Sequence, residues 1–168
     1  MTRKIPAKDI ALIGMMIATI EVAKNALAFL PNVELVSFLI ILYTLYFGKR
    51  IFAVIPAFVL LEGTIYGFGL WWIMYLYVWP LLAVFTLLLR KQDSVWVFST
   101  LSALFGLFFG ALCAIPYIFI SGIKGAFAWW VAGIPFDVVH CISNFILCLI
   151  LFVPMRKALK HFSGWINA

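Results

Sequence analysis

Charge is scarce in this chain of 168 residues: Asp, Glu, Lys and Arg supply 11% of it and hydrophobic residues 67%, a balance that no water-soluble domain with one core needs. Mean hydropathy is +1.18. Cysteine is scarce as well. Cys113, Cys141 and Cys148 all fall inside apolar runs and lack CxxC spacing, which argues against a disulfide framework or a zinc site and leaves them as packing residues. No Gly-rich phosphate loop with its lysine occurs, so the chain is not expected to hydrolyse ATP. No GxSxG, HExxH or comparable nucleophile and base pair stands in an apolar run, which argues against an enzyme. Inverted repeats with paired broken helices, common in secondary transporters, are also missing. The opening "MTRKIPAKDI" leads into a long apolar run without a small-residue cleavage site, so it reads as a retained helix and not as a signal peptide.

What is present is membrane-length hydrophobicity. A bilayer core about 30 Å thick takes roughly 20 helical residues per crossing, so this length allows about six. The apolar runs place spans at about 10–30, 35–47, 51–68, 70–89, 95–120 and 135–155, in a single domain covering residues 1–168. The 12 Lys and Arg outnumber the 6 Asp and Glu, and their distribution decides what the excess means. Arg3, Lys4 and Lys8, then Lys49 and Arg50, Arg90 and Lys91, and finally Arg156, Lys157 and Lys160 fall on alternate connections, all on one side. The opposite side receives Lys124, with Lys24 near the end of the first span. The positive-inside rule therefore puts both termini in the cytoplasm of a cell-membrane protein. The basic charge sets topology and does not indicate nucleic-acid binding. Pro31 ends the first span, "PNVE" leaves little slack before the second, and Pro56 and Pro80 predict kinks in the third and fourth.

The polar residues that remain collect in the outer half. Asp137, His140 and Asn144 follow i, i+3, i+7 spacing, which stacks them on one helical face. If their helix began at Ala128, Asp137 would lie roughly 14 Å along it, an expensive depth for a carboxylate. Pro135 at the first helical position would instead put Asp137 in the first turn, where the helix dipole favours an anion. Residues 121–134, carrying Lys124, Trp129 and Trp130, then form an outer loop or a short interfacial helix. Asn144, the deepest of the three, fits a packing role and Asp137 and His140 are candidates to face a solute or form a gate; together the three are expected to form the polar wall of an outward, solute-binding cup. Glu21, Lys24, Asn25, Glu34, Glu62 and Tyr66 lie in the same outer half. Glu21 and Lys24 are spaced to neutralise each other; Glu62 has no local partner and either pairs across helices with Lys24 or faces a solute. Trp72, Tyr75 and Trp79 form a second i, i+3, i+7 stripe, either an interfacial belt or stacking surfaces for a ring-bearing solute. One Asp and one His fall short of a metal's ligand count. No cofactor is indicated.

"LPNVELVSFLIILYTLYFGKR" (Leu30 to Arg50) and "GIPFDVVHCISNFILCLILFVPMRKAL" (Gly133 to Leu159), at this length and topology, resemble the substrate-binding S components of energy-coupling factor (ECF) vitamin transporters, most of all the lactobacillal cobalamin type. That resemblance implies an all-α bundle of six transmembrane helices. It implies capture of a vitamin on the outer side under outer loops acting as a lid. It also implies partners: a membrane T component and two cytoplasmic ATPases, against which the S component topples to release its cargo inside. Docking in that family uses small residues on the first helix in an AxxxA-like pattern. Ala7, Ala11, Gly14 and Ala18 offer such a surface here, although Met15 stands where a second alanine is typical, and packing within the bundle is the other use for these residues. Cobalamin is the first expectation for the cargo, with hydroxymethylpyrimidine or pyridoxine as the alternative. Two other classes stay open on the residues alone: an assembly subunit without a solute, and an autonomous channel or proton-coupled carrier relaying through Glu62 and Asp137.

Overall fold

The computed structural model describes the backbone of residues 6–167 and the side chains of residues 6–160; Arg3 and Lys4 of the basic N-terminus lie outside the described residues. Six α-helices are formed there: α1 (Ala7–Ala26), α2 (Val36–Phe47), α3 (Ile51–Tyr66), α4 (Leu70–Leu88), α5 (Val95–Cys113) and α6 (Ile115–Asn167). Four segments are long and apolar enough to cross a membrane: Val36–Tyr66, Leu70–Leu88, Val95–Cys113 and Ile115–Lys160. The first of these is divided by Gly48, whose φ of 57° reverses the chain between α2 and α3. At 1.5 Å per residue, the 12 residues of α2 extend only about 18 Å. Helix α1 is longer but carries Lys8, Asp9, Glu21 and Lys24.

Short α2 is the axle of the bundle. It packs against all five other helices, and every residue from Val36 to Thr44 is buried. A segment so surrounded needs no polar face, which explains its near-continuous apolar sequence. Around it, α1 and α3 run parallel, joined at one end by Arg50 with Asp9 (3.1 Å) and at the other by Lys24 with Glu62. Pro56 and Pro80 sit inside α3 and α4 without ending either helix.

The sequence predicts a fifth span over 95–120 and a separate sixth from Pro135. The structure gives a hairpin. Residues 115–121 extend the direction of α5, Gly122 (φ 71°, ψ 175°) reverses the chain, and residues 123–167 run back as one helix through Pro135. The reversal is evident from the antiparallel pairing of its limbs. Tyr117 stacks on Trp129 at 4.7 Å, Gly110 meets Asp137, Gly106 meets the backbone of His140, Asn144 reaches Ser102, and Phe98 stacks on Phe152. Pro135 is therefore an interior residue, and 121–134 is helical, not a loop. Asp137 is 15 residues past Gly122, or about 22 Å along the helix. Its charge is met sideways by the Gly110 N–H, at 2.9 Å, and not by a helix N-terminus.

The basic connections gather at one end of the bundle. Arg50 meets Asp9 there, and Arg156 bonds Asp93 in the α4–α5 connection, its Nη1 reaching the Asp93 carbonyl at 3.2 Å. The opposite end holds Glu21, Lys24, Glu34, Glu62 and His140.

Candidate solute cavity

At that opposite end, α1, the 27–35 loop and helices α2 to α6 converge on a cavity of about 140 Å³, lined by Lys24, Asn32, Glu34, Val36, Phe58, Tyr75, Trp79, Phe109 and His140. Each polar member is held by its fold. Lys24, in the last turn of α1, forms an ion pair with Glu62 of α3, whose side chain is 1% exposed. A buried carboxylate in an apolar bundle is tolerable when a cation, here the half-buried Lys24, neutralises it. The Lys24 ammonium also lies 4.2 Å from the centre of the Tyr66 ring, within cation–π range. Tyr66 in turn donates to Asn25 Oδ1 at 2.6 Å, and Asn25 donates to the Glu21 carboxylate at 2.8 Å. The expected Glu21–Lys24 pairing along α1 is thus replaced by the cross-helix alternative.

The second polar pair spans a far longer stretch of chain. Glu34 Oε1 lies 3.0 Å from His140 Nε2 of α6, and Glu34 Oε2 accepts the Ser37 backbone N–H at 2.9 Å in the first turn of α2. Burial pushes the Glu34 carboxyl's pKa up, but the hydrogen bond and charge of His140 together with the bonds from Ser37 outweigh it and hold it below the ordinary value of 4.5. Glu34 is therefore a carboxylate at neutral pH. Closer to the surface, Asn32 takes the left-handed conformation (φ 59°), and its carbonyl accepts the Ser143 hydroxyl at 3.0 Å. The 27–35 loop is the non-helical wall of the cavity, and two α6 side chains pin it.

The remaining wall is aromatic. Tyr75 meets Trp79 edge-on at 5.2 Å, Trp79 tilts against Phe109 at 5.7 Å, and Phe109 meets the His140 ring at 5.1 Å. Trp79 Nε1 is buried without a partner, so hydrogen-bonding capacity remains unused on a lining residue. Pairs of rings facing carboxylates and cations suit a flat, polar-edged solute. Among the described residues no group of three His, Cys, Asp or Glu side chains converges as metal ligands would.

Of the residues singled out in the sequence, Tyr75, Trp79 and His140 line this cavity, and Glu62 stands behind Lys24. Tyr66 is half exposed at its margin. The others go elsewhere. Trp72 turns toward α3 and donates to the Val59 carbonyl at 2.8 Å, so the expected three-residue stripe supplies two walls and one packing contact. Asp137 and Asn144 do share the face of His140, and all three are buried, but both bond α5: Asp137 accepts from Gly110, and Asn144 donates to the Ser102 carbonyl at 3.3 Å. Lys124 is exposed near the hairpin turn, Trp129 stacks within the hairpin, and Trp130 meets Phe127 there; none of them lines the cavity. Lys24 and Glu34, which the sequence marks only as polar residues of the outer half, also line it, and Asn32, Phe58 and Phe109 are lining residues the sequence does not single out. On α1, Ala7, Ala11, Gly14 and Ala18 are all exposed on one face, while Leu12, Met16 and Ile20 bury the other. Packing inside the described bundle is therefore not their use.

Comparison with models of protein families, with curated proteins and with solved structures gives no match for this chain.

Proposed function

We propose that the protein is the solute-capture subunit of an ECF-type importer, taking a small ring-bearing vitamin at the end of the bundle opposite the basic residues. The observation that carries this reading is the cavity itself: an aromatic wall facing the Lys24–Glu62 ion pair and the Glu34–His140 contact, under a loop fixed by only a few side-chain bonds. Channels need a continuous polar path, and the cavity is instead floored by the buried apolar side chains of α2 and α3. The exposed small-residue face of α1 supports docking to a membrane T component, since small side chains let helices approach closely in lipid. Energy for transport then comes from that partner's two ATPases.

Size bears on the cargo. About 140 Å³ is below the roughly 300 Å³ of a typical ligand pocket, so any vitamin requires the 27–35 loop to shift outward. A single heteroaromatic ring such as hydroxymethylpyrimidine or pyridoxine needs the smaller displacement. Cobalamin, to which the sequence resemblance points, needs a far larger one.

Calorimetry on the purified chain tests this with hydroxymethylpyrimidine, pyridoxine and cobalamin. The expected result is 1:1 binding of one of the three without ATP, weakened about tenfold or more by His140→Ala, a loss of about 1.4 kcal/mol. Asn144→Ala, which alters only α5 packing, should leave affinity near wild type. A folded sample that binds none of the panel, or uptake into liposomes by the chain alone, would count against the reading.

A further inference from the structure

Beside the solute cavity two carboxyl groups from different helices meet. Glu21 of α1 and Glu62 of α3 stand within side-chain hydrogen-bond reach of each other. One oxygen of each is engaged elsewhere: Glu21 Oε1 accepts from Asn25 at 2.8 Å, and Glu62 Oε2 takes the Lys24 ammonium. The oxygens left over, Glu21 Oε2 and Glu62 Oε1, are both buried and find no donor among the described residues. An ionised carboxylate only accepts hydrogen bonds, so two of them cannot satisfy each other, and buried acceptors without a donor are costly.

Charge points the same way. The ammonium of Lys24 neutralises one carboxylate and also lies over the Tyr66 ring, and among the described residues it is the cation that meets the pair. The other titratable groups nearby are Tyr66 on α3, Tyr75 on α4 and, across the cavity, Glu34 with His140 of α6. With both carboxyls ionised the cluster carries a net negative charge inside an apolar bundle; with one proton it is neutral, the usual resolution for two acids at close range. A proton between Glu21 and Glu62 also closes a circuit. Tyr66 donates to Asn25 Oδ1 at 2.6 Å, Asn25 donates to Glu21, the proton joins Glu21 to Glu62, and Glu62 holds Lys24 beneath Tyr66. Asn25 and Tyr66 are exposed at this end of the bundle, which gives the proton a short path from the medium.

We infer that Glu21 and Glu62 together bind one proton, shared between Glu21 Oε2 and Glu62 Oε1, and that this proton closes α1 onto α3 beside the cavity. Its loss leaves two carboxylates competing for the single ammonium of Lys24. Because Lys24 lines the cavity, the site links the acidity of the medium to that wall. The assignment stands apart from which solute, if any, the cavity takes. It also fixes the sign of a pH effect. Above the ordinary carboxyl range the folded chain holds one proton more than the unfolded chain, so rising pH favours unfolding by about tenfold per pH unit until the proton leaves. Glu21→Gln puts an amide N–H in the proton's place and should remove that dependence.

Two measurements on the full chain in detergent test this. Infrared spectroscopy at neutral pH detects a protonated carboxyl by its C=O stretch, which shifts when H2O is exchanged for D2O. The expected result is such a band in the wild type, lost in Glu21→Gln and in Glu62→Gln. It should persist in Asp137→Asn, which removes a different buried carboxyl. Should Glu62→Gln unfold the chain by leaving Lys24 without its partner, Glu21→Gln decides alone, since it keeps both the size of the side chain and the Lys24–Glu62 pair. Unfolding in mixed micelles across pH is the second measurement. The wild type should lose stability relative to Glu21→Gln by about tenfold per pH unit; the titration of His140, common to both, cancels in that difference. A wild type without the band, a band lost only in Asp137→Asn, or equal pH slopes in wild type and Glu21→Gln would overturn the site. Stabilisation by sodium over choline at fixed pH, abolished by Glu21→Gln, would overturn it as well, because the two oxygens would then hold a metal cation.

Discussion

Removing the Lys24 ammonium would leave the Glu62 carboxylate enclosed in an apolar bundle with another acid, Glu21, as its neighbour. An uncompensated buried charge of this kind costs about 3 kcal/mol or more, whereas replacing both partners with apolar groups is often near neutral. Lys24→Met should therefore lower stability by about 3 kcal/mol in thermal or denaturant unfolding, and Lys24→Met/Glu62→Leu should recover most of it. Equal losses in the two variants would show that Glu62 is satisfied by something other than Lys24. At this scale the sequence is informative about which residues are costly and silent about whom they meet. Glu62, Asp137 and His140 stand out because ionisable groups in apolar runs demand partners. The partner of His140 is Glu34, 106 positions away, and no local spacing encodes such a pairing. Trp72 and Tyr75 share one interfacial stripe in sequence, yet only packing against Gly63 and Val59 decides that Trp72 leaves it.

The α5–α6 hairpin is where single helices become a unit, and glycine makes the close approach possible. A Cβ at Gly106 would lie 2.9 Å from the backbone carbonyl of His140, so the two helices would have to separate. A Cβ at Gly133, on the same α6 limb, meets nothing within 4 Å. Gly106→Ala should then destabilise by about 1–3 kcal/mol through overpacking. Gly133→Ala should be neutral or stabilise by up to about 1 kcal/mol, because alanine gives up less backbone freedom in a helix. Unfolding midpoints of the two variants measured side by side check the contrast, and equal effects would mean the limbs are not in contact at Gly106. Element boundaries were legible wherever hydrophobicity changed sharply, as where the expected spans 35–47, 51–68 and 70–89 meet α2, α3 and α4 within a residue or two. The start of α6 was not. Pro135 and Asp137 together imitate a helix N-terminus, but a proline inside a long apolar helix is accommodated by its surroundings, and the N–H that receives Asp137 comes from another helix.

Across the whole molecule, the two ends differ in kind, and that asymmetry is what a membrane reads. One end gathers Lys8, Lys49, Arg50, Arg90, Lys91, Arg156, Lys157 and Lys160; the other carries the cavity with Lys24 tied to Glu62, and the exposed Lys124 near Gly122. Lys and Arg are held back on the cytoplasmic side during insertion, so the basic end should face inward and the cavity outward. Capture from outside requires this orientation, and the reverse would make the cavity an exit site. The prediction is directly testable, because the two ends have exposed positions that substitution should not disturb. In a background with Cys113, Cys141 and Cys148 replaced by alanine or serine, Lys124→Cys should react with a membrane-impermeant maleimide added to intact cells. Gln92→Cys, in the α4–α5 connection, should react only after the membrane is opened. Labelling in the opposite order would turn the bundle over and remove outward capture as its function. Equal labelling of both in intact cells would mean mixed insertion, in which case eight clustered cations do not fix the topology and the pairing of α1 with α3 through Lys24 and Glu62 forms only after the helices have entered.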